Sequence, residues 1–209
     1  MRPIPRHQCL IYQGSSARHL TILSTIVRQK LRRNIRCVYL NSALMVANMK
    51  SSLAAAGVDV PRELSNSSLI LSSERPHLAQ GRCFDIDRMI DSLQSALQQA
   101  LADGYKGLWA TGDMTWEFGP DKDFSCLVEY ERRLEEVFHK HSELGGICQY
   151  NATSLPHEAL CKGLVSHPAV CINETLSRVN PHYLSPLRYT PEAVAAPALD
   201  STLAALACA

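Results

Sequence analysis

Short apolar runs alternate with longer stretches of helical periodicity along almost the whole chain. Residues 9–12 (Cys-Leu-Ile-Tyr) are apolar and stop at Gly14, which predicts a buried strand and a turn at 14–16. Over residues 17–33, Leu20, Leu23, Val27 and Leu31 fall at helix-face spacing. Residues 35–40 are rich in β-formers and predict a second strand. Asn41 or Ser42 then caps a helix that stops at Gly57, a usual C-terminal place for glycine. A third strand is predicted at 69–71. The clearest helix starts at Asp85: Ile86, Met89, Ile90, Leu93, Leu97 and Leu101 recur every three or four residues until Gly104. Residues 107–111 predict a fourth strand, opening into a loop at 112–119. Phe124, Leu127, Val128, Leu134 and Phe138 mark one face of a helix starting near Asp123. A fifth strand at 146–150, a short helix at 156–163 and a sixth strand at 169–172 follow.

Strands alternating with helices of about ten residues or more build parallel β-α-β units. The strands are nearly continuous in apolar residues, as expected where both sheet faces are covered. The predicted fold is therefore α/β: three layers, a mostly parallel sheet with helices on both faces. Composition sharpens this picture at one place. Eight of the last 19 residues are alanine, and Glu192 and Asp200 are their only charges. The organisation predicted is a domain over residues 1–189 and an alanine-rich tail over 190–209, with a short helix from Asp200. That tail suits either a flexible extension or an arm for a partner.

With 46% hydrophobic residues the chain can build a core, and its net charge of +1 gives no general attraction to nucleic acid or an anionic membrane. Arg28, Lys30, Arg32, Arg33 and Arg36 cluster at a helix C-terminus, where cations are favourable without any nucleic-acid partner. The chain has eight cysteines, but residues 1–7 are short, basic and proline-containing, with no apolar export signal. A cytoplasmic protein with reduced thiols is expected. No apolar run approaches the roughly 18 residues that span a bilayer.

In open parallel sheets, ligands bind beyond the carboxyl ends of the strands. The first such end here is Tyr12-Gln13-Gly14-Ser15-Ser16-Ala17-Arg18. A nucleotide-hydrolysing loop needs several glycines, for close approach of backbone amides, and a lysine followed by serine or threonine. This segment has one glycine and no lysine, and Arg18 does not reproduce the lysine geometry. Hydrolysis of nucleoside triphosphates is not expected, although anion binding at the helix start remains open.

His7-Gln8-Cys9-Leu10-Ile11-Tyr12 resembles the opening His-x-Cys-x-x-Tyr of the MEDS domain, the methanogen/methylotroph sensory domain of the dichloromethane-regulator type. Further segments resemble it in matching order: residues 34–39, 81–87 and 104–108, then Thr111-Gly112-Asp113-Met114-Thr115-Trp116 and Tyr130-Glu131. Cys148-Gln149-Tyr150-Asn151, His167-Pro168 and Asn180-Pro181-His182-Tyr183 complete the set, which spans about residues 7–186. The resemblance implies a RecA-like or KaiC-like fold without its phosphate loop, a role in sensing simple hydrocarbon derivatives, and a place beside DNA-binding or histidine-kinase modules. Neither module fits before His7 or after Tyr189, so the output is expected from a separate signalling or transcription-regulatory protein. The family often carries an arginine and a glutamate near the fourth strand. This chain has Trp109 and Asp113 there.

The candidate ligand site comprises residues whose chemistry and placement agree. His7 and Cys9, two apart on a strand, share a face. They suit a metal or a reactive thiolate, and equally a core cysteine beside a satisfied histidine. Glu131 falls inside the apolar face of its helix, where a carboxylate must be paired or shifted in pKa. Asp113, Met114 and Trp116 give the loop after the fourth strand an apolar, polarizable wall with a polar group. Tyr12, Tyr150 and Asn151, at other strand ends, complete the expected pocket for a small organic ligand. No catalytic residue, cofactor or metal is expected: the strand cysteines Cys9, Cys37, Cys148 and Cys171 lack the close ligand spacing of a zinc motif, and the pair His139 and His141 sits at a helix end, where the dipole and solvent account for it. Two rival readings are a nucleotide binder without hydrolysis and an interaction scaffold. Pairing of two copies is left open.

Overall fold

In a computed structural model, the described residues are 5–14, 16–79, 83–119, 123–172, 177–185, 188–194 and 197–209. Ser15 of the predicted first turn, and Gly81 and Arg82 before the long helix, lie outside them. Chain order runs β1 (His7–Tyr12), α1 (Ser16–Arg32), β2 (Arg36–Leu40), α2 (Ala43–Ala55), α3 (Val60–Ser65) and β3 (Leu69–Ser72). A two-strand hairpin, β4 (Leu78–Ala79) and β5 (Cys83–Phe84), precedes α4 (Ile86–Ala102), β6 (Leu108–Asp113) and α5 (Met114–Glu117). Then come α6 (Leu127–Lys140), β7 (Leu144–Asn151), α7 (His157–Ser166), β8 (Ala169–Cys171) and β9 (Ser177–Val179), with α8 (Pro191–Val194) and α9 (Ala198–Cys208) last.

The main sheet has the order β3-β2-β6-β7-β1-β8-β9. All its pairings are parallel except β8 with β9. The fold is thus the expected three-layer α/β arrangement. Alternation along each strand divides the core. Leu10, Cys37, Tyr39, Trp109 and Ile147 face α1 and α2, whereas Cys9, Ile11, Leu108, Cys148 and Tyr150 face α4, α6, α7 and α9. Cys9 and Cys148 therefore share one face of the sheet, and Cys37 lies on the other.

The caps explain where elements begin. Ser42, Asp59 and Asp85 each accept the backbone N–H three residues on, at the starts of α2, α3 and α4. Gly57 and Gly104, at φ +80° and +86°, take the left-handed conformation that ends α2 and α4.

Three differences from the sequence reading matter for function. The fourth strand runs on to Asp113, whose carboxylate accepts the Trp116 N–H at 3.2 Å and so starts the single turn α5. The expected open loop is therefore a packed turn, with Met114, Trp116 and Phe118 buried. Secondly, α6 starts at Leu127 because the Asp123 carboxylate is engaged with the Ser125 N–H in a preceding turn. Thirdly, α9 starts two residues before Asp200 and packs against β1 and α7, burying Leu199 and Leu203 in the larger core.

The basic cluster is dispersed. Arg28 donates to the Ala56 carbonyl, and buried Arg36 pairs with Asp103 at 2.5 Å beneath the Tyr105 ring. No described helix is long and apolar enough to cross a membrane.

Candidate functional site

Two carboxylates occupy the apolar stripe of α6. Glu131 and Glu135, one turn apart, lie among Leu134 and Phe138 and face the sheet. Beneath them sits His7, the first residue of β1, stacked on Phe138 with ring centroids 4.9 Å apart. Its Nδ1 is 2.8 Å from Glu135 Oε2 and its Nε2 3.1 Å from Glu131 Oε2. From β7, Tyr150 donates its hydroxyl proton to Glu131 Oε1, and Cys148 Sγ lies 3.6 Å from Glu131 Oε2 and 3.7 Å from His7 Nε2. His167, where α7 passes into β8, donates from Nδ1 to the Gly163 carbonyl at 2.7 Å. Its Nε2 points at Glu131 Oε2 from 3.4 Å. Gly163 serves twice, since its missing side chain also leaves room for the Tyr150 ring.

The cluster is sealed: His7 is 1% exposed and Glu131 and His167 are 0% exposed. Burial by itself would strip His7 of its proton, but the hydrogen bonds its ring N–H groups donate to Glu131 and Glu135, and the charges of those carboxylates, outweigh it and push the imidazole up to about 9. Burial would raise Glu131, yet the neighbouring imidazoles and the Tyr150 hydroxyl hold it below the usual glutamate value. Burial takes His167 down to about 4, so it is neutral, with Nδ1–H committed to Gly163 and a lone pair on Nε2. Burial also raises the Cys9 and Cys148 thiols, with Glu131 adding to both, so that they hold their protons.

A second polar group lies at the carboxyl edge of the sheet. The Tyr12 hydroxyl donates to Asp113 Oδ2 at 2.7 Å, Asn151 also bonds Tyr12, and His19 stacks on the Tyr12 ring at 3.8 Å. Beyond Tyr12, Gly14 turns with φ +82° into the start of α1. The end of α9 lies over this turn: Arg18 donates to the Cys208 carbonyl at 3.4 Å. A hollow of only about 30 Å³ remains there.

The third feature is a cavity of about 50 Å³ between α4, α6 and the strands β2, β6 and β7. Met89, Leu93, Met114 and Phe138 supply apolar walls, and Glu117, Tyr130 and Cys148 the polar ones. The Glu117 carboxyl nestles against Gly112, where any Cβ would collide with it. Burial raises Glu117 well above the usual range, Glu131 and Asp113 add to this, and the Tyr130 hydroxyl is a long 3.4 Å away. Burial therefore favours the protonated form of this acid.

Comparison with known proteins adds a family to this geometry. The sequence profile described as MEDS, the "MEthanogen/methylotroph, DcmR Sensory domain", matches residues 6–168. The chain belongs to the MEDS family. No curated protein matches it. Among solved structures it is similar to a KaiC-like protein from the hyperthermophilic archaeon Pyrococcus horikoshii OT3. The TM-score is 0.55 at 11% identity, covering 80% of this chain and 70% of that one, a likeness of fold.

In this MEDS domain eight of the nine residues singled out from sequence divide among the three features, and Trp116 stands outside all of them. His7, Glu131 and Tyr150 meet in the sealed cluster, with Cys9 on the same sheet face opposite Cys148 in the β1–β7 register. Tyr12, Asp113 and Asn151 meet at the carboxyl edge. Trp116 lies under the Arg75 guanidinium, 5.2 Å from its ring centroid, and Met114 lines the cavity. Sequence reasoning missed Glu135, Glu117, Cys148 and His167 as site residues. Glu135 was accessible in principle, being four residues after Glu131 on the same helix face. Cys148 and His167 stood in the family-like segments but had no local spacing to mark them.

Proposed function

We propose that this sensory domain binds a small, largely apolar organic molecule without converting it, and that a separate signalling or transcription-regulatory protein in the cytoplasm reads the bound state. The observation that carries the reading is the cavity beside Met114. Its volume of about 50 Å³ suits a molecule of one or two carbons, far below the several hundred Å³ of a drug-sized pocket. Its walls are mostly hydrocarbon and thioether, with a protonated carboxyl at one end that can donate to or accept from a polar atom of the guest.

The absence of turnover follows from protonation. Glu117, Tyr130 and Cys148, the ionisable groups lining the cavity, all have raised pKa values, and burial is the first cause of each. As free side chains, none is an activated nucleophile or base. A signal has a short path outward, because Met114 opens α5 and Asp113, its cap, is held by Tyr12. A guest that favours one position of α5 shifts the Tyr12–Asp113 edge, and without differential affinity nothing would be switched.

A thermal-shift series with one- and two-carbon halides, alcohols and aldehydes tests the proposal. Stabilisation that grows with ligand concentration is expected for at least one class. A flat response across the series would overturn it. Titration with magnesium ATP is expected to give no binding, which separates this reading from a nucleotide binder.

A further inference from the structure

Independently of the cavity's guest, the sealed cluster has the form of a metal centre. We infer that His7 Nε2, His167 Nε2, Cys148 Sγ and Glu131 Oε2 bind one divalent transition-metal cation, with zinc the best match. These four atoms come from β1, the end of α7, β7 and α6, and all lie within 4.8 Å of one another.

Distances support four-coordination. Zinc bond lengths of about 2.0–2.3 Å at tetrahedral angles place ligand atoms roughly 3.3–3.6 Å apart. The observed separations are 3.1 Å for His7 to Glu131, 3.4 Å for His167 to Glu131, 3.6 Å for Cys148 to Glu131 and 3.7 Å for Cys148 to His7. Four of the six donor pairs thus lie close to the spacing a small cation requires, and the two that join His167 to His7 and to Cys148 lie within 4.8 Å, so a modest inward shift of the His167 ring completes the site.

An unmet need points the same way. His167 Nε2 is fully buried and has no hydrogen-bond partner. Its lone pair confronts a carboxylate oxygen at 3.4 Å, an arrangement that is repulsive unless a positive charge lies between them. The second layer is also in place. Glu135 orients His7 through Nδ1, the Gly163 carbonyl orients His167 through Nδ1, and the Tyr150 hydroxyl holds the other oxygen of Glu131. Metal-bound imidazoles and carboxylates are fixed by partners of this kind.

Charge balances as well. On binding, Cys148 and the Nε2 of His7 each release a proton to solvent, while His7 keeps Nδ1–H on Glu135. The thiolate and the Glu131 carboxylate then neutralise the divalent cation. Two imidazoles and a thiolate favour zinc and its transition-metal neighbours over magnesium or calcium. A groove of about 210 Å³ on the outer side, lined by Glu129, Arg132, Glu135, Ser166 and Tyr183, brings solvent as far as Glu135, the residue that orients His7. Because Cys148 also lines the cavity, the bound cation would present a thiolate on that wall.

The test uses the full chain, reduced, stripped with chelator and titrated with cobalt(II). One equivalent should bind, giving the strong visible bands of four-coordinate cobalt and near-ultraviolet thiolate-to-cobalt charge transfer. Cys148→Ser should lose the charge transfer, and His167→Gln should lose the four-coordinate spectrum. Glu135→Gln, which alters no ligand, should weaken zinc binding about 10- to 100-fold while keeping both spectral features. It decides the matter even if the ligand variants do not fold. No cobalt uptake by the folded chain, unchanged affinity in Glu135→Gln, or charge transfer lost only in Cys83→Ser or Cys208→Ser would overturn the assignment.

Discussion

Tyr12 and Asp113 join the carboxyl ends of β1 and β6 across the intervening strand β7, through a 2.7 Å hydrogen bond from the phenol to Oδ2. The same carboxylate caps α5 through Oδ1, so one side chain fixes both the sheet edge and the turn that leads to Met114. Burial raises the Asp113 pKa while these bonds pull it down, and the balance leaves it above the usual aspartate value. Replacing Tyr12 by phenylalanine leaves a nearly buried acceptor short of a donor, at a cost of about 1–3 kcal/mol. Asp113→Ala should cost more, since it also removes the cap. Urea denaturation of the two single variants and the double variant should show a coupling of about 0.5 kcal/mol or more. Additive losses would mean that the bond contributes nothing.

Glu117 sets a pH dependence. Its carboxyl is surrounded by Gly112, the Tyr130 hydroxyl and the fields of Glu131 and Asp113, and burial keeps its folded-state pKa well above the ordinary value of 4.5. A raised carboxyl pKa adds stability that is complete below the unfolded value and is lost as pH rises toward the folded one. Glu117→Gln removes that loss. The difference in unfolding free energy between wild type and variant should therefore drift in the variant's favour above about pH 4.5, by at most about 1.4 kcal/mol per pH unit. Parallel stability curves for the two proteins would contradict a buried neutral acid.

Gly163→Ala probes the packing under the sealed cluster. A Cβ there meets the Tyr150 ring, which must move and carry its hydroxyl away from Glu131. A loss of about 1–3 kcal/mol is expected from overpacking alone. Gly163→Ala combined with Tyr150→Phe should be less than additive, measured by chemical denaturation. Full additivity would separate the glycine from the tyrosine.

Much of this architecture was legible in the chain. The helix α4 announced itself through an Asp85 cap, an apolar residue every three or four positions and a glycine stop at Gly104, and each of these signals has its counterpart in the structure. What escaped was short. A single turn such as α5 has too few residues to express a period, and its cap at Asp113 looked like the start of a loop. Of the sites, Glu131 was visible as a carboxylate inside an apolar stripe. His7 and Tyr150 were visible as well, but not their meeting with Glu131, because His7 lies 124 residues away in sequence and Cys148 and His167 sit on separate elements. Spacing rules detect ligands that share a loop, whereas topology assembled these four.

A small organic guest in the space beside Met114 is best detected with a fluorinated two-carbon probe followed by ¹⁹F NMR. A saturable shift or broadening is expected with wild type and should vanish in Ala110→Leu, whose larger side chain fills the cavity while the fold persists by circular dichroism. A probe that binds both proteins equally, or neither, would contradict guest binding there.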